Sequence, residues 1–327
     1  MTAMEMEEVE TGFLGGAAGL PLVISPRRAG LDSARWAAEN REWIEEQLHR
    51  YGALLFRGFS VDEVAGFEAF AEVICGQLYG EYEDLPKERG GRRVYQATPY
   101  PAEKTILFHN ESSHMHRFPI KQFFFCLVAA REGGETPVVD GREIYRRLSA
   151  EVIEELRRRK LMYIRNYIEG FDVGWRDFFR TEDRADVEAY CRAHGISFEW
   201  HGDDLQTRQV APAVARHPKT GEDVFFNQIQ LHHRACLEPD LREALEAVLG
   251  EDNLPRNVRF GDGEEIDDQL VREISRMYWD CSVAFRWQER DLLMLDNILC
   301  SHARNPYVGP RRIAVAMGEI VRADEVA

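Results

Sequence analysis

The segment Phe108-His109-Asn110-Glu111-Ser112 places an imidazole and a carboxylate two positions apart. On a β-strand, residues i and i+2 point to the same face, so His109 and Glu111 are expected side by side. Far downstream, Asp296-Asn297-Ile298-Leu299-Cys300-Ser301-His302 offers another histidine. If a second strand brings His302 beside the first pair, two imidazoles and one carboxylate cover a single face of a metal ion and leave the opposite face open. That demand constrains the fold more than any other feature, because two strands remote in sequence must meet. Alone, His-X-Glu is weak evidence, since an exposed strand with two polar residues reads the same. Its surroundings strengthen it: Gly133-Gly134-Glu135-Thr136 follows Glu111, and Gly309-Pro310-Arg311-Arg312-Ile313-Ala314-Val315 follows His302.

With 327 residues, 44% hydrophobic and 30% charged, the chain has the composition of a soluble globular protein and enough length for one large core. No apolar run approaches the roughly 20 residues needed to cross a bilayer. Met1 to Glu10 is acidic, unlike a signal peptide, so the expected location is cytoplasmic. A net charge of −16 argues against nucleic acid or an anionic membrane as the main partner, though it leaves room for a local basic pocket. The six cysteines are scattered without a Cys-X-X-Cys pair and read as reduced thiols.

Residues 1–20 look like a flexible lead-in, and 21–327 are expected to form a single domain. Residues 32–49 have helical spacing, with Trp36, Ala37, Trp43, Ile44 and Leu48 on one face. Ala53 to Arg57 reads as a short buried strand. From Glu81 to Pro101 the pattern is lost, which suggests a long loop and a candidate lid. Strands are expected at Ile106 to Glu111 and Gln122 to Ala129. Further on, Ser149 caps a helix, Met162 to Ile168 is strand-like, and 210–217 with 223–228 forms a hairpin. Helices follow at 239–249 and 268–279, and strands at Leu292 to Asp296 and Ile313 to Ile320. Strands joined by turns, with helices gathered at the N-terminus and in insertions, predict a mainly β, α+β chain: an antiparallel barrel or sandwich decorated by helices.

His109-Asn110-Glu111, the Gly-Gly-Glu-Thr segment and His302 with its trailing Arg-Arg-Ile resemble the Fe(II)/2-oxoglutarate-dependent dioxygenases of the taurine dioxygenase-like superfamily. Within it, 108–141 and 217–319 are similar to the clavaminate-synthase-like branch, which includes the syringomycin-pathway aspartyl hydroxylase. The likeness runs from Gly52-Ala53-Leu54-Leu55-Phe56-Arg57-Gly58-Phe59 onward. It implies a double-stranded β-helix, or jelly roll. It further implies Fe(II) as cofactor, 2-oxoglutarate and O2 as cosubstrates, and release of succinate and CO2 as a C–H bond is hydroxylated. Glu111 stands where taurine dioxygenase has aspartate, as in the clavaminate-synthase-like branch, and a carboxylate there disfavours halogenation.

The resemblance assigns iron to His109, Glu111 and His302, whose imidazoles must be neutral to donate a lone pair. It assigns the far carboxylate of 2-oxoglutarate to an arginine fork and to the hydroxyl of Thr136. Register favours Arg312, which would share a strand face with Ala314 and Ala316, leaving Arg311 outward as the fallback. Asn227, His233, Arg117 and His114 are candidate substrate contacts, with a satisfied structural role as the alternative for Asn227 and His233. The expected substrate is a small amino-acid-like molecule in secondary metabolism, free or presented on a carrier protein. The same centre supports desaturation, cyclisation or cleavage, and a jelly roll using zinc or manganese for hydrolysis or isomerisation is the reading that needs neither arginine nor Thr136.

Overall fold

A computed structural model describes residues 7–14, 19–61, 63–80, 87–97 and 100–326. The chain divides into two compact units where the sequence predicts one domain: Met1–Glu111, Pro119–Glu143 and Cys281–Val321 form the first, and Ser112–Phe118, Ile144–Asp280 and Arg322–Ala327 the second.

The first unit is built on a seven-stranded sheet in the order Val9–Phe13, Leu22–Pro26, Ala53–Phe56, Leu292–Asp296, Arg117–Val128, Arg312–Arg322, Tyr95–Gln96. Its strands alternate strictly. Leu54, Phe56, Phe123, Phe125, Leu292, Met294, Ala314 and Ala316 belong to one buried cluster with Trp36, Ile44, Phe67 and Phe70 of the helices Ser33–Glu39, Arg41–Tyr51 and Glu63–Cys75. Phe67 stacks on Phe125 at 5.2 Å, and Phe70 meets Phe56 edge-on at 4.9 Å. Each fully buried ring stabilises the unit by about 1.5–3 kcal/mol relative to exposure. The in-between residues, Gln122, Phe124, Ile313 and Val315, face a pocket on the other side of the sheet. That pocket is also lined by the strands Ile106–His109 and Cys300–Arg304, which form a three-stranded sheet with Val138–Asp140.

The single helix expected over 32–49 is two. Asn40 ends the first by donating its side-chain amide to Trp36 O at 2.8 Å, a local bond that competes with helix continuation. The lead-in expected over 1–20 includes a strand: Val9–Phe13 pairs with Leu22–Pro26, and Val9 is buried. Residues 1–6 and 15–18 lie outside the described residues. The expected Glu81 to Pro101 loop is likewise only partly described, since 81–86 and 98–99 fall outside. Within 87–97 it is not structureless. Gln96 and Tyr95 pair with Ala314 and Val315 at the sheet edge, and buried Glu68 accepts the backbone N–H groups of Arg92 and Arg93. Amides that satisfy a buried carboxylate tie residues 92 and 93 to the helix Glu63–Cys75.

The second unit carries an antiparallel four-stranded sheet in the order Ser197–His201, Asp204–Ala211, Leu161–Tyr167, Arg256–Phe260, and the hairpin Val214–Arg216 with Asp223–Phe225. It has its own apolar cluster around Tyr167, Trp175, Val187 and Leu205. A separate core in the long insertion is the physical reason for the division into units. Among the described residues no helix is long and apolar enough to cross a membrane.

Candidate metal and 2-oxoglutarate site

The first unit brings the two marked segments together by strand register. Cys300–Arg304 pairs antiparallel with Ile106–His109 so that His302 lies directly opposite His109. Directly opposed residues share a sheet face, so the two rings meet, with centroids 4.2 Å apart. Glu111 is not on the strand as expected. The strand ends at His109, and Glu111 precedes Ser112, whose φ is 56°. A clamp of buried amides holds it instead. Asn297 accepts from Glu111 N at 2.6 Å and donates to Glu111 O at 3.0 Å and Pro119 O at 2.8 Å. Asn110 returns the contact, donating to Asn297 O at 2.7 Å and Cys300 O at 3.2 Å, and accepting from the Ser301 hydroxyl at 3.2 Å. Thus the residue between His109 and Glu111 ties their segment to the one carrying His302.

One donor atom from each of His109, Glu111 and His302 lies within 4.8 Å of the others. His109 Nδ1 contacts Leu107 O at 2.8 Å. A carbonyl only accepts, so Nδ1 carries the proton and Nε2 keeps its lone pair, 4.0 Å from Glu111 Oε2. Gln122 Nε2 donates to the same carboxylate oxygen at 3.2 Å. His302 is 6% exposed, packs edge-on against Phe124 at 5.0 Å, and its Nδ1 has no hydrogen-bond partner among the described residues. Burial, then the neighbouring His109, holds its pKa well below the ordinary imidazole value. Two imidazoles and one carboxylate converging on one point, with a buried ring nitrogen on His302 that has no partner among the described residues, are a donor set that fits a divalent iron.

The same pocket contains an arginine, and it is the fallback Arg311 rather than the favoured Arg312. Arg311, Ile313 and Val315 line it, whereas Arg312 is half exposed and pairs outward with Glu88 Oε1 at 3.3 Å. Arg312, Ala314 and Ala316 do share a face, as the register argument has it. That face turns to the helix-packed core, where small side chains let the sheet and helices approach, and the bulkier Ile313 and Val315 face the pocket. Arg311 Nε donates to Gly134 O at 2.9 Å and Nη2 to Thr136 Oγ1 at 3.4 Å. Burial, with the nearby Arg304 charge, pushes the Arg311 guanidinium down to about 10. Thr136 is buried and also accepts from Trp287 Nε1 at 3.2 Å. Gly134 has φ 72°, and a Cβ there would sit 3.0 Å from Arg311 Cδ, so only glycine leaves the guanidinium its place.

Gln122, Asn297, Trp287 and Arg304 escape the sequence reading. Two carried a signal. Gln122 is the polar position flanking an otherwise apolar run, and Arg304 stands two residues after His302 on the same strand.

The four candidate substrate contacts all lie in the second unit. Asn227 is buried, donates to Ala213 O at 3.1 Å and accepts from Ile229 N at 3.0 Å. His233 lies just beyond a helical turn, Ile229–His232. Its Nδ1 accepts from Ala235 N at 3.1 Å and its Nε2 donates to Ile266 O at 3.3 Å, and burial pushes its pKa down to about 4. Both residues thus make the backbone contacts of the structural alternative. His114 packs its ring 5.2 Å from His232 and 5.6 Å from Tyr163, and Arg117 is exposed.

Residues 18–317 match the family described as taurine catabolism dioxygenase TauD, TfdA family. The dapdiamide synthesis protein DdaC of Enterobacter agglomerans is 39% identical over 84% of each chain. A clavaminate synthase-like protein of Arabidopsis thaliana is 28% identical over 91% of this chain and 93% of its own. Among solved structures, PvcB of Pseudomonas aeruginosa superposes with a TM-score of 0.59 at 14% identity, over 100% of this chain and 98% of its own, which shows a shared fold. The double-stranded β-helix expected from the motifs is therefore the fold, and the hydrolase or isomerase reading falls away. The chain belongs to the TauD/TfdA family and is an Fe(II)- and 2-oxoglutarate-dependent dioxygenase.

Proposed function

We propose that the enzyme hydroxylates a C–H bond of an amino acid or amino-acid derivative, free or presented on a carrier protein, in secondary metabolism. His109, Glu111 and His302 hold the Fe(II), and Arg311 with Thr136 anchors the far carboxylate of 2-oxoglutarate. The observation that carries this is the sharing of one pocket by the two imidazoles, the carboxylate and the Arg311–Thr136 pair. A relative named for dapdiamide synthesis supports the biosynthetic setting. When bound, Fe(II) with 2-oxoglutarate as electron donor would activate O2 for oxidation of an unactivated C–H bond. The chain's own residues set the stage. His109 is locked in the tautomer that offers Nε2, Gln122 steadies one Glu111 oxygen, and the apolar Phe124, Ile313 and Val315 exclude water.

The test is anaerobic titration followed by turnover. A weak visible charge-transfer band should appear only when Fe(II) and 2-oxoglutarate are both present. Succinate release is then measured across a panel of amino acids, free and carrier-bound. A product gaining one oxygen supports hydroxylation, a product losing two hydrogens makes the enzyme a desaturase or cyclase, and failure to bind iron removes the site assignment.

A further inference from the structure

The pocket holds a second buried arginine that no assignment above uses. Arg304 is 7% exposed and lines the pocket beside His302 and Arg311. It donates Nη1 to Tyr100 O at 3.0 Å, and Nη2 to Pro101 O and Lys104 O, both at 2.6 Å. Its Nε is buried without a hydrogen-bond partner among the described residues. Its guanidinium lies 5.2 Å from the centre of the Tyr307 ring, and that of Arg311 lies 5.6 Å from the same ring. Among the described residues neither arginine has a carboxylate within ion-pair distance. Two like charges placed around one aromatic ring repel, and desolvation adds to the cost. Three neutral carbonyls and a π-face offset only part of it, which leaves the pocket with an excess of positive charge awaiting an anion.

We propose that Arg304 is a positioning and specificity residue for the cosubstrate: its charge, shared across Tyr307 with Arg311, makes this end of the pocket select a dianionic 2-oxo acid over a monoanionic one. This rests on the reading that Arg311 receives the far carboxylate of 2-oxoglutarate. Arg304 acts on that carboxylate through its field, and its carbonyl bonds fix the Tyr100–Lys104 backbone so that the field has a constant origin. Lysine at 304 would keep the charge without the fork that spans three carbonyls.

The experiment compares 2-oxoglutarate with 2-oxopentanoate, which has the same carbon chain but no far carboxylate. Dissociation constants are read from the visible band of Fe(II)-loaded protein without O2, for wild type, R304Q, R304K and R311Q. R304Q is expected to weaken 2-oxoglutarate roughly tenfold while moving 2-oxopentanoate less than about twofold. R304K should retain most of the wild-type preference. An equal loss for both acids in R304Q would make Arg304 a wall residue only and overturn the proposal, as would unchanged 2-oxoglutarate binding. If R304Q does not fold, R304K decides: a preference for the dianion collapsing to that of R311Q refutes the role of charge. Should R311Q bind 2-oxoglutarate like wild type, the reading of Arg311 fails, independently of the R304Q result.

Discussion

Two pairs of imidazoles in this chain look alike and differ in what surrounds them. His109 and His302, in the first unit, have ring centroids 4.2 Å apart at 49°. His114 and His232, in the second, are 5.2 Å apart at 47°. In each pair burial depresses one member, His302 or His232, well below the ordinary value. The first pair has Glu111 within reach, held by Gln122. The second has the Tyr163 ring 5.1 Å from His232, whose Nδ1 sits 3.2 Å from Gln228 O, and it joins no group of three metal-ligating donors among the described residues. The lesson is that a carboxylate makes the centre. Neutral imidazoles come together for packing as readily as for ligation, whereas an ionised carboxylate beside them without a cation is costly. His114, three positions past Glu111, completes a tempting His-X-Glu-X-X-His run, yet it packs with the other pair.

The largest effect that would break this contrast is on iron. E111A and H302A should each lose stoichiometric Fe(II) and roughly a thousandfold in turnover, with H114A retaining its iron. Metal analysis after anaerobic reconstitution decides, and loss of iron in H114A would end the distinction. Next comes the arginine pair. R311Q should raise the dissociation constant for 2-oxoglutarate roughly a hundredfold, and R312Q, which removes a half-exposed contact with Glu88, less than about threefold. A reversed order would restore Arg312. Q122L removes the Gln122 Nε2 donor from Glu111 Oε2 and should weaken Fe(II) binding roughly tenfold, read by competition with a chelator.

The smallest effect concerns the second unit and pH. The folded pKa of His233 lies near 4 against an ordinary 6.5, because burial opposes its charge. The unfolded chain therefore takes up the proton first as pH falls. Stability from this group is full above about 6.5 and is lost between about 6.5 and 4, by at most roughly 3 kcal/mol. H233N should flatten urea-unfolding curves across that window. An equally steep fall in the variant would assign the dependence to the other depressed histidines: His116, pushed down to about 4, with His232 and His302.

Much of the site was legible in sequence because it is written in short spacings. His109 and Glu111, then Gly134 and Thr136, are each fixed within a few residues, and the polar or glycine choice at each position is costly unless used. The strands Leu292–Asp296 and Arg312–Arg322 and the Ser149-capped helix Ala150–Arg159 also follow from local pattern. Where the reading failed, it needed to know which face was which. The alternation at 311–316 was correct in period and wrong in sign, because a period of two carries no information about which side holds the core.

The chain's residues by themselves mark two imidazoles and a carboxylate as a candidate metal face, and the family resemblance that they carry with the Gly-Gly-Glu-Thr segment implies the ferrous ion and its cosubstrate. Folding alone settles that Arg311 rather than Arg312 enters the pocket, that Asn297 clamps Glu111, and that Arg304 brings a second charge. These depend on strand register and on contacts between segments remote in sequence, and neither quantity is encoded in any local stretch.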